Sequence, residues 1–143
     1  MIKVTGYSQG EAKFSVVYNK SAKVLNIESR SMCDDCIPYR ESTGCMIWLN
    51  NNSTLGEIEC IFPAEIESIG SLISQNVKHL NATPKFDVSY EEKPVEVLFN
   101  NSRLLLIFNR TKKADSEYIS SSINFYVSNN ELIAIECTDY QLI

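Results

Sequence analysis

Short runs of apolar residues alternate with polar ones along most of the chain, and alternation of this kind is typical of β-strands. Polar turns separate consecutive runs, so neighbouring strands are predicted to pair as antiparallel hairpins. The predicted strands of the first half cover residues 3–7, 13–19, 24–28, 46–49 and 57–62, and those of the second half cover residues 86–90, 95–99, 104–108, 123–127 and 132–137. Two polar stretches, 30–44 and 109–122, are predicted to be longer loops.

The two halves share an order of local motifs, which favours a duplicated β module. The corresponding segments are 17–19 with 98–100, 24–27 with 104–107, 48–52 with 126–130, and 58–60 with 135–137. We predict a single domain, 1–143, with a first repeat at about 1–62 and a second at about 84–140, related by a pseudo-twofold axis. Cys60 and Cys137 are equivalent in the two repeats, and we expect both to be buried as small apolar side chains.

Residues 63–80 depart from the β pattern, because their apolar positions recur at helical spacing. These positions are Ile66, Ile69, Ile73, Val77 and Leu80. Pro63 suits the first position of a helix, and Glu65 and Glu67 favour its positive N-terminal end. We therefore predict one amphipathic helix that links the repeats and packs on the sheet. The expected fold class is α+β, mainly antiparallel β.

Each repeat resembles a small, functionally uncharacterised bacterial β domain. That domain has an aromatic-Asp/Asn turn leading into Leu-x-Ile, and a closing strand that ends in Ile-x-Ile-Glu-Ile. The matching residues are Tyr18-Asn19, Leu25-Asn26-Ile27 and Ile58-Glu59-Cys60 in the first repeat, and Phe99-Asn100, Leu105-Leu106-Ile107 and Ile133-Ala134-Ile135-Glu136-Cys137 in the second. In both copies Cys replaces the last aliphatic residue, and the turn residue is Asn. The resemblance implies a fold and no activity.

The chain has the composition of a soluble globular protein, with 44% apolar and 22% charged residues. No apolar core typical of a signal peptide follows Met1, and no run approaches the ~20 apolar residues of a membrane span. We expect a cytoplasmic protein that does not bind membranes. The five Cys form an odd number without a secretory marker, which favours free thiols over a disulfide framework.

The net charge of −5 is distributed in alternating blocks. Residues 1–32 carry +3, residues 33–67 carry −6, residues 78–113 carry +3 and residues 114–143 carry −5. Each repeat therefore has a basic first part and an acidic second part, and the two acidic parts could form one face. Such a face would repel nucleic acid and attract a basic protein.

In size and charge the chain resembles the immunity proteins that neutralise toxins in contact-dependent inhibition. The resemblance implies a bacterial, non-catalytic inhibitor that covers the active site of a basic toxin domain such as a nuclease. The candidate partner-binding residues lie in the two longer connections, where binding residues concentrate. They are Asp34, Asp35, Glu41, Asp115 and Glu117.

Other functions are weakly supported by the residues present. Cys33, Cys36 and Cys45 could belong to a zinc-binding or redox-regulated domain, but a fourth zinc ligand is missing and the intervening acids raise thiol pKa values. His79 is the only His, so no catalytic triad is evident; we expect no enzyme, no metal and no cofactor. A structural domain that dimerises through an exposed strand is a further alternative.

Two features of the predicted strands could also belong to an interface. Glu59 and Glu136 are equivalent in the repeats, and each is expected to face water because its neighbours face inward. Solvated strand surface is the simpler interpretation, and a partner-binding face is the alternative. Trp48 and Tyr126 are likewise equivalent, and are candidates for either packing or an interface.

Overall fold

The computed structural model describes residues 1–143 and contains fifteen β-strands and no helix. Their bounds are β1 Ile2–Gln9, β2 Phe14–Asn19, β3 Val24–Ser29, β4 Ile37–Ser42, β5 Cys45–Leu49, β6 Leu55–Ile61, β7 Ala64–Glu65, β8 Ile73–Leu80, β9 Ala82–Val88, β10 Glu96–Phe99, β11 Leu104–Ile107, β12 Ala114–Ser120, β13 Ile123–Ser128, β14 Glu131–Cys137 and β15 Gln141–Leu142. The prediction of antiparallel β structure is confirmed, because ten of the thirteen strand pairings are antiparallel.

The strands form two sheets whose central parts have the same order. The six-stranded sheet runs β15-β2-β3-β6-β5-β4. The nine-stranded sheet runs β7-β10-β11-β14-β13-β12-β8, and β1 and β9 join it through the pairing of β1 with β14. Strands β2 to β6 therefore occupy the same relative places as β10 to β14. The strand registers agree as well, since Cys60 lies opposite Leu25 and Cys45, and Cys137 lies opposite Leu104 and Ile123.

The two five-strand units exchange short strands with each other. β7 follows the first unit in sequence but pairs in parallel with β10 of the second, and β15 follows the second but pairs in parallel with β2 of the first. β1 and β9, the strands that precede the two units, pair with each other in antiparallel fashion. This reciprocity is what a pseudo-twofold arrangement would produce.

One hydrophobic core lies between the two sheets. Inward-facing side chains alternate with outward-facing ones along β2, where Phe14, Val16 and Tyr18 are buried. The rings of Phe14 and Phe125, one from each sheet, have their centroids 6.2 Å apart. The main core cluster contains 26 buried residues drawn from both sheets, and Cys60 and Cys137 belong to it.

The predicted helix is wrong, and with it the α+β fold class: the chain is all-β. Residues 64–65 form β7, residues 66–72 have no regular structure, and residues 73–80 form β8. Branched side chains and the glycine at position 70 disfavour a helix, and the same branched residues favour extended chain. No helix long and apolar enough to cross a membrane is present.

The two stretches predicted as loops each contain a strand that the apolar pattern did not show. β4 lies within residues 30–44 and β12 within residues 109–122. Both strands are rich in polar residues, and each pairs with the following strand through a short turn. Their places correspond in the two sheets, so the strand count of each unit is five.

Candidate functional site: the outer face of the six-stranded sheet

The outer face of the six-stranded sheet carries two cross-strand rows that bring acidic side chains together. The first row runs across the sheet through Ser15, Glu28, Glu57, Trp48 and Pro38. The second row runs through Val17, Asn26, Glu59, Met46 and Arg40. We call Glu28, Glu57 and Glu59, with Trp48 and Met46 beside them, the acidic face.

The three glutamates of the acidic face are close to one another and have no cationic partner. Glu28 lies directly opposite Glu57, and Glu59 is the next outward-facing residue of the same strand. None of the three takes part in an ion pair. Burial, and then the carboxylates of Glu28 and Glu59, raise the pKa of Glu57. Like charges directly opposite in a sheet destabilise it, so this arrangement reduces the stability of the free protein.

Half-buried apolar and polar groups lie among these carboxylates. Trp48 and Met46 are neither fully buried nor fully exposed. The side-chain oxygen of Asn26 is inaccessible and has no hydrogen-bond partner. Aromatic residues and Met are enriched at protein interfaces. The face therefore combines negative charge with the side-chain types that anchor a protein partner.

The counterpart of the acidic face in the nine-stranded sheet is apolar and covered. Strand register places Ile107 and Ala134 where the six-stranded sheet has Glu28 and Glu57. The connection before β8, together with Val77 of β8 itself, lies over this surface and forms a second hydrophobic cluster with it. The covering residues are Ile66, Ile69, Leu72 and Val77, and the covered ones include Leu98, Leu105, Ile107, Tyr126, Ile133 and Ala134. The six-stranded sheet has no such cover.

The glutamates on the covered face all have partners, including Glu96 with Arg110 and Glu117 with His79. Glu136, the counterpart of Glu59, accepts a hydrogen bond from Arg103 Nη1 at 2.8 Å and from the Tyr126 hydroxyl at 3.2 Å. Burial, and then the neighbouring carboxylates of Glu136 and Glu117, raise the pKa of Tyr126, which keeps that hydroxyl a donor. The glutamate at this position thus has an ion-pair partner in the nine-stranded sheet, as Glu136, and none in the six-stranded sheet, as Glu59.

Two of the predicted partner-binding residues flank the acidic face. Asp34 and Asp35 are exposed in the connection between β3 and β4. This connection is at the end of the sheet where Glu28 and Glu57 lie, and the backbone N–H of Cys33 anchors it by donating to Asn50 Oδ1 at 2.9 Å. The two aspartates therefore extend the negative surface at this end.

The other three predicted residues lie elsewhere. Glu41 is fully buried, its carboxylate has no hydrogen bond, and Lys93 Nζ is 3.8 Å from it. Glu117 is also buried and lies 2.8 Å from His79 Nδ1. Asp115 is exposed, but in the other sheet, where it accepts a hydrogen bond from the backbone N–H of Asn129 at 2.9 Å. The acidic parts of the two repeats thus lie in different sheets, and only the first supplies a cluster of glutamates without ion-pair partners.

The cysteines form two separate pairs and one single thiol. Cys33 and Cys36 are half-exposed with their sulfurs 3.5 Å apart, and Cys36 donates to Asn50 Oδ1 at 3.2 Å. Cys45 instead lies in the core, where its sulfur is 3.3 Å from that of Cys60. The alternative of a three-cysteine site is therefore not assembled, and no group of three or more His, Cys, Asp or Glu side chains is placed to hold a metal.

The raised pKa values of Cys36 and Cys137 indicate that these two thiols are poor nucleophiles. Burial is the main factor that raises the pKa of Cys36 to about 11, followed by its interactions with Cys33. Burial raises the pKa of Cys137 to about 12. A thiol with a raised pKa is protonated at neutral pH and reacts slowly.

Sequence reasoning identified Glu59 and Trp48 as interface candidates but missed Glu28 and Glu57. The signal that could have found them is the alternation of polar and apolar residues on β3 and β6, combined with the pairing of these two strands. A comparison with protein-family models finds no match for the chain, and a search among curated proteins finds no relative.

Proposed function

We propose that this protein is a non-catalytic inhibitor of the immunity type, which acts in the bacterial cytoplasm and binds a basic toxin domain, such as a nuclease, through its acidic face. The observation that carries the proposal is the set of three unpaired glutamates on an uncovered sheet. The equivalent surface of the other sheet is covered by the chain's own apolar segment. A cationic surface supplied by a partner would relieve the repulsion that the free protein retains.

The arrangement of charges supports an inhibitor more than an enzyme. Acidic complementarity accelerates association with a basic partner and rejects acidic competitors. The site has acceptors without a nucleophile, and the sole histidine is engaged with Glu117 in the other sheet. We further propose that the two five-strand units are copies of one ancestral module, which their shared strand order supports. The acidic face would then be a specialisation of the first copy.

The proposal is tested by purifying the tagged chain from its native host and assaying what it retains. We expect a basic protein whose enzymatic activity is lost when the pure chain is added. A triple variant, E28K/E57K/E59K, should bind that protein at least about tenfold more slowly at low salt. The association rate of the unmodified chain should fall steeply as salt increases.

The matched control is E67K/D87K/D139K, which makes the same change in net charge at three exposed acids outside the acidic face. This variant should keep most of the association rate, because only local charge is complementary to the partner. Equal losses in both variants would indicate a non-specific charge effect. A retained protein that is acidic, or whose activity persists in the complex, would contradict the proposed function.

A further inference from the structure

The outer edges of the two sheets differ in a way that follows from the covering segment. β12 pairs with β13 on one side and in parallel with β8 on the other. Its counterpart β4 pairs with β5 alone. The same five-strand order is therefore closed by an extended segment in one sheet. In the other sheet the N–H of Glu91 donates to the carbonyl of Glu41 at 3.0 Å, and the edge is open only at the first part of β4, Ile37 to Arg40. The chain itself shows how an extended segment can complete this edge.

Strand register shows which backbone groups β4 presents at the open edge. The backbone N–H of Ile61 donates to the carbonyl of Gly44 at 2.8 Å, so alternate residues of β5, including Met46 and Trp48, direct their backbone groups to β6. The residues of β4 opposite these two are Arg40 and Pro38, which consequently point away from β5. The free groups are the carbonyls of Pro38 and Arg40 and the N–H of Arg40.

The open edge is continuous with the acidic face. Pro38 ends the row that contains Glu28 and Glu57, and Arg40 ends the row that contains Glu59. A segment that pairs with β4 can therefore continue across these rows, as residues 66–80 do in the other sheet. Residues 66–80 place apolar side chains on the nine-stranded sheet. A partner segment in the corresponding position on the six-stranded sheet would meet carboxylates instead.

We propose that the partner contributes an extended basic segment that adds to β4 as a parallel strand and continues over the acidic face. This inference rests on the proposed function and specifies its binding mode. A second copy of the chain is a poorer occupant, because two acidic faces would repel each other and each edge lacks the N–H donor of Pro38. Main-chain hydrogen bonds would give such a segment affinity, and its basic side chains would give specificity.

A synthetic peptide with the sequence of residues 66–80 carrying I66K/I69K/L72K is the probe. It has the length of the chain's own covering segment and places positive charge where that segment is apolar. We expect it to bind the full-length, isotope-labelled chain at low salt. Hydrogen exchange at the Arg40 amide should slow at least about tenfold, whereas the Met46 and Trp48 amides, which face β6, should exchange as before. The same peptide with N76P/V77P cannot form the strand and should not protect Arg40.

Two variants of the chain separate the backbone from the side chain. R40P removes the outward N–H without removing a β4–β5 hydrogen bond, and should weaken peptide binding at least about tenfold. R40A keeps that N–H and should bind within about threefold of the unmodified chain. If R40P does not fold, the exchange of the Arg40 amide in the unmodified chain decides the question.

Each outcome has a distinct meaning. Peptide binding that depends on Glu57 and Glu59 but leaves the Arg40 amide unprotected would overturn strand addition and leave the proposed function standing. No binding, or binding that E57K/E59K does not weaken, would overturn the inference, whereas the proposed function is decided by the protein retained from the native host. A dimer of the free chain that R40P dissociates would show that a second copy occupies the edge, and would overturn the inference.

Discussion

Replacing Glu57 with Gln should stabilise the free protein at pH 7 while weakening its binding to a basic partner. Glu57 faces Glu28 across the strand pair and has Glu59 as its neighbour on the same strand. Gln keeps the size and polarity of the side chain but removes its charge. A residue that lowers the stability of the free protein and raises affinity for a partner is expected at a binding site.

The expected gain in the free energy of unfolding is modest. Like charges directly opposite each other in a sheet cost about 0.2–1 kcal/mol, and solvent screening reduces the contribution of the more distant Glu59. We expect E57Q to gain about 0.5–1 kcal/mol. In a domain of this size that corresponds to an increase of about 2–4 °C in Tm. Urea unfolding followed by circular dichroism resolves a change of this size.

The gain should depend on pH in a defined direction. Because burial and then the neighbouring carboxylates raise the pKa of Glu57, the folded state binds this proton more tightly than the unfolded state. Charged Glu57 therefore lowers stability fully above its folded-state pKa, and not at all below its unfolded value of about 4.3. The advantage of E57Q should be complete at pH 7 and should disappear as the pH falls below 4.

The matched control is E136Q, in the covered sheet at the position equivalent to Glu59. Glu136 accepts hydrogen bonds from Arg103 and Tyr126, so its neutralisation should cost about 1 kcal/mol at pH 7. Opposite signs for the two variants are the central expectation. The reasoning is refuted if E57Q is less stable than the unmodified chain at pH 7, or if its gain persists unchanged at pH 4.

Three further predictions concern packing and thiol reactivity. G56A should lower the free energy of unfolding in urea by about 1–3 kcal/mol, because a Cβ at Gly56 would lie 2.8 Å from Cys36 Sγ and 3.1 Å from the carbonyl oxygen of Trp48. The control G6A, at a glycine with open space around it, should change this free energy by less than about 0.5 kcal/mol. L72A should lower the free energy of unfolding by about 2–3 kcal/mol, because Leu72 is buried in the second hydrophobic cluster, whereas I73A should lower it by less than about 0.5 kcal/mol. A larger loss for I73A than for L72A would contradict the extended form of the connection. Prolonged treatment with iodoacetamide at pH 8 should label only the two half-exposed loop thiols in the native protein, Cys36 slowly because its pKa is raised, and all five after unfolding, as counted by mass spectrometry. Native labelling of the three buried thiols would contradict the packed core.

Strands that carry a buried apolar face could be predicted from the sequence. The run from Phe14 to Tyr18 alternates buried and outward-facing residues. Such a pattern fixes which face of the strand packs on the core, because a register shift of one residue would expose its apolar side chains. β4 and β12 could not be found in this way, because both are rich in polar residues and neither alternates regularly between buried and exposed positions. Glu41 in β4 and Glu117 in β12 show the difficulty. Each is buried by a strand or segment distant in sequence, so the local pattern of apolar residues does not reveal its burial.

The connection between the units was misassigned because two structures share its apolar spacing. Ile66 and Ile69 lie on one side of a helix, and they also reach one surface when an irregular extended chain crosses a sheet. Leu72 distinguishes the two arrangements, since it is buried while Ile73 is 43% exposed. A helix would have favoured the burial of Ile73, which fits the helical spacing. In the folded protein this connection packs in extended form on the apolar outer surface of the nine-stranded sheet, and this tertiary contact cannot be recognised from local spacing.

The candidate site illustrates why charge blocks in a sequence point to a region but not to a surface. Residues 33–67 contain most of the first repeat's acids, yet this block includes Glu41, which is buried, and omits Glu28, which is exposed on the acidic face. Glu28 and Glu57 are far apart in sequence, and only the pairing of β3 with β6 makes them neighbours. The corresponding strands of the other sheet bring Ile107 and Ala134 together and are covered by the chain itself. Two units with one strand order therefore present opposite surfaces, and the charged, uncovered one is the surface that we propose binds a partner.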